Sequence, residues 1–266
     1  MKLVENKNGV KYFTFHKLEG IRHCFSTRVG GVSEGCYESL NLGFRQDTRE
    51  NVVENYNRLC NAIGIDVKNT VWTRQIHTDI ILKVDERDRG KGLFMPRREE
   101  GYDAVITNCS GVVLTGFSAD CVLILYYDKA NHAIGVAHSG WRGTVLGIGG
   151  KTVRAMEREF GTRADEIICC IAPAIAKCCF QVDKPVVDEF LKAYSWSGEF
   201  ITQDSENSDK YYIDLHAVNE KILLNAGVRA ENIENSYYCT KCHPELFYSH
   251  RLMGDARGSM AAMISL

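Results

Sequence analysis

Only four prolines occur in the 266 residues, and no Gly/Ser-rich or Pro-rich run divides the chain. No interdomain linker is therefore expected, and residues 1–266 read as a single domain. Repeats at the periods of solenoid proteins are absent. So is an excess of one charge: 32 Lys+Arg against 34 Asp+Glu gives 32 − 34 = −2. That balance argues against nucleic acid as a partner, because broad phosphate-backbone binding needs a basic surface. The longest stretch without Asp, Glu, Lys or Arg is the 16 residues 104–119, shorter than the ~20 apolar residues of a membrane span. No membrane association is expected. No apolar segment follows Met1-Lys2, so no signal peptide is expected and the cytoplasm is the default location. The 45% apolar and 25% charged residues are ordinary globular usage and exclude a disordered, collagen-like or coiled-coil chain.

Cysteine, by contrast, is plentiful. The count is eleven, an odd number, and includes the adjacent pairs Cys169-Cys170 and Cys178-Cys179. Neighbouring cysteines are poorly placed to bond each other, since a disulfide ordinarily spans a Cα separation of ~4.4–6.8 Å. The expectation is reduced thiols, most of them buried as small apolar residues.

Short β-rich stretches recur at 11–15, 21–27, 71–74, 80–84, 102–107, 112–117, 121–127, 133–137, 166–171, 234–239 and 260–266. Four helices are interspersed. Asp47 or Thr48 can cap the first, which carries Val52, Val53, Tyr56, Leu59, Cys60 and Ile63 at helical spacing and exits at Gly64. The second is expected over 144–160, although Gly147, Gly149 and Gly150 weaken its start. The third begins at Asp183 with Pro185 in its first turn. The fourth covers 214–226, with Leu215, Val218, Ile222 and Leu223 inward and Gly227 as the stop. Many strands, a few helices and no regular βαβ alternation predict an α+β fold with more than one sheet.

Polar residues set in apolar sequence concentrate in three segments: Gln75-Ile76-His77, Ala119-Asp120-Cys121 and His138-Ser139-Gly140-Trp141-Arg142-Gly143. Each sits at the end of an expected strand, where a side chain is both held and open to solvent. The intervals, 121 − 77 = 44 and 138 − 121 = 17, can bring His77, Cys121 and His138 together from different strands. Two imidazoles and a thiolate suit zinc, and three protein ligands leave a fourth position open. On the residues alone, hydrogen-bonded histidines and a strand-filling cysteine stay open as the alternative. A second cluster holds Arg28, Gly30-Gly31, Ser33 and Asn41. These side chains could bind an anion or sugar hydroxyls, or the segment is a hairpin with a solvated arginine. Neither a P-loop nor a dinucleotide-binding fingerprint occurs. Cys239-Thr240-Lys241-Cys242-His243 contains a CxxC, but no second CxxC is present and His250 is the only nearby partner, so a metal site and a redox dithiol both stay open there on weak grounds.

Taken together, these motifs resemble the laccase-domain family, also called multicopper polyphenol oxidoreductase-like or peptidoglycan editing factor proteins. The resemblance runs through most of the chain: Phe25-Ser-Thr-Arg28-x-Gly-Gly-Val-Ser33, Ser39-Leu-Asn41-Leu-Gly43, Gln75-x-His77, Tyr102-Asp103-Ala104, Ala119-Asp120-Cys121 and His138-x-Gly-Trp-Arg-Gly143. It continues in Pro173-x-Ile175 with Cys179, and in Cys239 followed by Phe247-x-Ser249-x-Arg251. The family's Gly-Pro-x-Ile-Gly stands here as Ala172-Pro173-Ala174-Ile175-Ala176, its C-terminal Gly-Arg is loosened to Gly254-Asp-Ala-Arg257, and Cys242 is extra to the pattern. The resemblance implies a zinc site of His77, Cys121 and His138 in a four-layer α/β/β/α fold. It also implies a purine nucleoside phosphorylase with adenosine deaminase and methylthioadenosine phosphorylase activity, acting on small purine nucleosides and phosphate.

Within that expectation, zinc would lower the pKa of a water to near ~7 for attack on C6 of adenosine. Asp120 is the nearest candidate proton shuttle, and Arg28 or Arg142 would clamp phosphate. The family's older name, copper polyphenol oxidase, sits poorly with only eight histidines and no His-x-His pair, although such a mixed site could capture copper in vitro. A Cys121/His hydrolase linked to peptidoglycan editing uses the same residues without metal.

Overall fold

The computed structural model describes residues 1–44 and 47–266. Two six-stranded sheets face each other. The first runs in the order Lys2–Glu5, Lys11–Thr14, Arg22–Ser26, Met260–Ser265, Val113–Ser118, Thr70–Trp72, antiparallel except for its last pair. The second runs Ile233–Asn235, Ile168–Ile171, Val122–Asp128, Ala133–Ser139, Ala104–Thr107, Ile81–Lys83, with parallel pairs only at its two edges. A small third sheet joins Gln181–Asp183, Lys210–Ile213 and Ile201–Gln203.

Side-chain alternation explains the layering. On Met260–Ser265, Met260, Ala262 and Ile264 pack between the two large sheets, while Ala261 and Met263 pack outward beneath the helix Arg49–Ile63. On Val122–Asp128, Leu123 and Leu125 face the same central layer, while Val122, Ile124 and Tyr126 face the helices on the far side. Both strands are apolar along their length because both faces are buried. The helices Ile148–Phe160 and Leu215–Asn225 close that side, giving the expected four layers.

Helix ends follow local chemistry. Thr48 caps Arg49–Ile63 by accepting the Asn51 N–H, and Gly64 leaves it in the left-handed region at φ 69°. Asp214 caps Leu215–Asn225 through the Ala217 N–H. The helix expected over 144–160 is broken into Trp141–Val145 and Ile148–Phe160, because Gly147 takes φ 76° between them. The short first piece brings Trp141 and Arg142 to the end of the strand that carries His138.

Candidate metal centre and cavity

His77, Cys121 and His138 come together from three elements. His77 lies in the loop after Thr70–Trp72, Cys121 directly precedes Val122–Asp128, and His138 is the penultimate residue of Ala133–Ser139. Their ligand atoms lie within 4.8 Å of one another. Cys121 Sγ is 4.0 Å from His77 Nε2, and the two imidazoles stand edge to face at 4.9 Å. Tetrahedral zinc would hold S and N ligands ~3.5 Å apart, so a small rotation of the exposed His77 ring closes the set.

Asp103 organises this geometry. Its fully buried carboxylate accepts from His138 Nδ1 at 2.7 Å and from the backbone N–H groups of Ile76, His77 and Thr78 at 3.1, 3.0 and 2.8 Å. One carboxylate thus holds the His77 loop and fixes the His138 ring, leaving Nε2 of His138 for a ligand. That is the carboxylate–histidine support typical of metal sites. His77 itself sits at φ 64° and Asp120 at φ 97°, strained backbone that clusters at functional sites. Gly140 leaves the space the site needs: a Cβ there would meet Cys121 Sγ at 3.0 Å, His77 Cδ2 at 3.2 Å and His138 Cε1 at 3.5 Å. The soft mixed donor set, the oriented imidazole and this cradle fit a metal ion held by the three residues.

Without metal the same residues form an ion pair. Burial opposes both charges, but thiolate and imidazolium favour each other and Asp103 supports His138. The Cys121 thiol is held down to about 6 and His138 is raised to about 9. The pair's stabilisation is lost as pH falls through the first value or rises through the second. In metal-stripped protein, alkylation of Cys121 followed by peptide mapping is expected to reach half its maximal rate near pH 6. A midpoint near the free-thiol value of ~8.5 would contradict the pairing.

His77 and Cys121 line a cavity of about 480 Å³, a volume suited to a small ligand, and the buried His138 stands against them. Trp141, Ile175, Phe180, Val182 and Leu215 form apolar walls, and Arg142, His250, Arg251 and Arg257 bring basic groups. A larger groove of about 850 Å³, lined by Phe44, Trp72, Phe94 and Arg97 among others, shares no residue with it. His77 and Cys121 therefore mark the smaller cavity as the candidate chemical one.

A family model described as multi-copper polyphenol oxidoreductase laccase matches residues 22–266. The chain belongs to this family. A Bacillus subtilis member, "Purine nucleoside phosphorylase YlmD", is 35% identical over 244 residues, covering 91% of this chain and 87% of that protein. "Adenosine deaminase RL5", from an unknown prokaryotic organism, is 34% identical over 246 residues, covering 91% of this chain and 92% of that protein. The crystal structure titled Bacillus licheniformis hypothetical protein YfiH superposes with a TM-score of 0.92 at 31% identity, covering 99% of this chain and 98% of that one. Among the described residues of this member of the family, no helix is long and apolar enough to cross a membrane.

Not every residue singled out in the sequence reaches the cavity. Asp120 lines it, but its carboxylate is engaged: Thr240 Oγ1 donates to Oδ1 at 2.6 Å, and Ser249 Oγ and the Arg251 N–H donate to Oδ2 at 3.0 and 2.6 Å. Arg142 lines it with its guanidinium over the Trp141 ring, 4.2 Å from the centroid. Arg28 and Asn41 lie elsewhere. The Arg28 guanidinium donates to the backbone carbonyls of Glu38 and Pro244 and stacks on Tyr248. Buried Asn41 ties Gly43, Asp47 and Ser259 together. Sequence reasoning gave no role to Asp103 or Arg251, though both lie inside the quoted motifs. Arg251 Nη1 donates to the carbonyls of Cys179 and Gln181 at 3.2 and 2.8 Å and so holds the cavity wall.

Proposed function

We propose that this chain is a zinc-dependent purine nucleoside phosphorylase that also deaminates adenosine and phosphorolyses methylthioadenosine. The observation that carries the reading is one cavity lined by His77, Cys121, Arg142 and Arg251 with apolar walls, and the buried His138 set against the first two. The names of the two relatives support it. The apolar Val182, Val186 and Leu215 suit a 5′-methylthio group.

When bound, the metal supplies Lewis-acid polarisation and a water of pKa near ~7. The chain's own groups do the rest. Arg142, with Arg251 lining the same cavity, holds phosphate through paired N–H donors. In phosphorolysis a phosphate oxygen bonds to C1′ of the ribose as the C1′–N9 bond breaks, and the purine leaves with the electron pair and takes up a proton. Trp141 and Phe180 bury the base and exclude water. Asp120, the candidate proton shuttle, accepts hydrogen bonds from the 240–251 segment at both oxygens, and this favours a positioning role for it. Arg28 likewise supports a loop rather than phosphate.

The test begins with Arg142→Ala. It is expected to weaken phosphorolysis more than deamination, because only the first reaction uses phosphate. Losing one charge-assisted contact costs ~1.5–3 kcal/mol, or about 10- to 150-fold in rate. Lys at this position restores part of the loss, while Arg28→Ala leaves the phosphate KM near wild type. Equal losses of both activities in Arg142→Ala would make it a structural residue. One preparation split into metal-free, zinc-loaded and copper-loaded samples, assayed on adenosine and on a phenol, separates the rivals. Phenol turnover by the copper sample alone, with adenosine intact throughout, overturns the purine reading. The thiolate–imidazolium pair favours one further alternative, a metal-independent cysteine hydrolase. Activity that survives complete chelation would select it.

A further inference from the structure

We propose that Cys178, Cys179, Cys239 and Cys242 form a second metal centre, a closed four-thiolate site for one structural zinc ion. The CxxC at 239–242 lacks a partner pair in sequence, and folding supplies one. Residues 172–180 and 238–242 run side by side: the Ala174 N–H donates to Tyr238 O at 3.1 Å, and the Thr240 N–H donates to Ala174 O at 3.0 Å. This pairing sets the adjacent cysteines 178 and 179 against the CxxC.

All four sulfurs lie within 4.8 Å of one another. Cys242 Sγ is 3.6 Å from Cys178 Sγ and 3.5 Å from Cys179 Sγ. Four sulfurs at ~2.3 Å around tetrahedral zinc stand ~3.8 Å apart, so the observed spacing is that of a zinc–thiolate set. It is far longer than the ~2.05 Å of a disulfide. Cys239, the buried member, accepts a hydrogen bond from the Ala176 N–H at 3.5 Å, the support a metal thiolate ordinarily receives. Four thiolates and one Zn²⁺ leave a net double negative charge, and Lys177 and Lys241 are the chain neighbours of Cys178 and Cys242. A four-sulfur tetrahedral set is closed to substrate, so its role is structural.

What the ion would hold is the wall of the cavity. Ile175 and Phe180 line it, the Ile175 N–H donates to Asp120 O at 2.8 Å, and Thr240 Oγ1 binds the Asp120 carboxylate. The ion thus clips together the two segments that grip Asp120, the residue next to Cys121.

The experiment is metal analysis of untagged protein prepared anaerobically with reductant. Wild type is expected to hold about two zinc ions per chain, and both Cys121→Ser and Cys178→Ser/Cys242→Ser about one each. Cobalt(II) loading of Cys121→Ser, where the four cysteines are intact, should give the intense visible spectrum of tetrahedral cobalt–thiolate. That measurement does not depend on the folding of the double variant. Three results would overturn the proposal: one zinc in wild type that Cys121→Ser removes entirely, no tetrahedral cobalt spectrum in Cys121→Ser, or a disulfide from Cys178 or Cys179 to Cys242 in non-reducing peptide maps. Failure of the purine assays would leave this stoichiometry untouched, so the two readings fail separately.

Discussion

Asp103→Ala is expected to empty the His77–Cys121–His138 site and to destabilise the whole chain. The carboxylate is fully buried and accepts four hydrogen bonds, three from consecutive backbone N–H groups and one from His138. Alanine leaves the buried His138 N–H and three part-buried backbone donors without their partner. Each unsatisfied buried donor costs ~1–3 kcal/mol. The sum is several kcal/mol against a total stability of ~5–15 kcal/mol. The catalytic consequence is separate: the His77 loop loses the clamp that holds its positive-φ turn, and His138 is free to rotate. Removing a single outer carboxylate from a metal site typically costs ~10–100-fold in affinity, and here it supports two ligands at once. Asp103→Asn distinguishes the parts. It keeps one acceptor oxygen but turns an NH2 group toward N–H donors, so the fold should survive at a lower Tm with the metal largely lost. Thermal melts with metal analysis on the two variants check this. Wild-type metal content and Tm in Asp103→Ala would show that the loop and the imidazole are held by something else.

Asp103 also shows where the sequence becomes hard to read. Its motif, Tyr102-Asp103-Ala104, lies at the start of an expected strand, and nothing local marks the aspartate as different from a strand-end turn residue. Its partners are 26 and 35 positions away, so only the pairing of Ala104 with Ala137 brings it to His138. The elements themselves were legible where chemistry is local. Thr48 and Gly64 bound one helix, Asp214 and Gly227 another, and the continuous apolar run of residues 122–127 marks a strand buried on both faces. The small sheet was not, because Gln181–Asp183 and Ile201–Gln203 have three residues each and are partly exposed, which leaves no period to detect. That His77, Cys121 and His138 come together could be read because each stands near a strand end or in the loop after one, among other polar residues. Arg28 and Asn41 carry the same polar signal for another reason: they satisfy backbone groups of Glu38, Gly43, Pro244 and Ser259. Cys178 and Cys179 looked like filler because their partners lie some sixty residues downstream, across a backbone pairing the sequence does not announce.

Gly140→Ala is expected to damage the site while sparing the fold, the reverse balance from Asp103→Ala. Gly140 precedes the helix Trp141–Val145 with φ −58° and ψ 168°, a conformation alanine adopts freely. Losing glycine at this cap position therefore costs at most ~1 kcal/mol. Space is what alanine takes away. Its Cβ would stand 3.0 Å from Cys121 Sγ and 3.2 Å from His77 Cδ2, so thiolate and imidazole must separate just where they need to converge. A displacement of ~1 Å at reacting groups costs about 10²-fold. Both phosphorolysis and deamination should fall by roughly that factor, because both depend on the same three ligands, while Tm stays within a few degrees of wild type. Valine carries two further methyl groups into the same cradle and should abolish metal binding there altogether, leaving the four-cysteine site filled. Metal titration and the two assays on both variants provide the check. Undiminished zinc affinity and activity in Gly140→Val would mean that His77, Cys121 and His138 do not act as one ligand set.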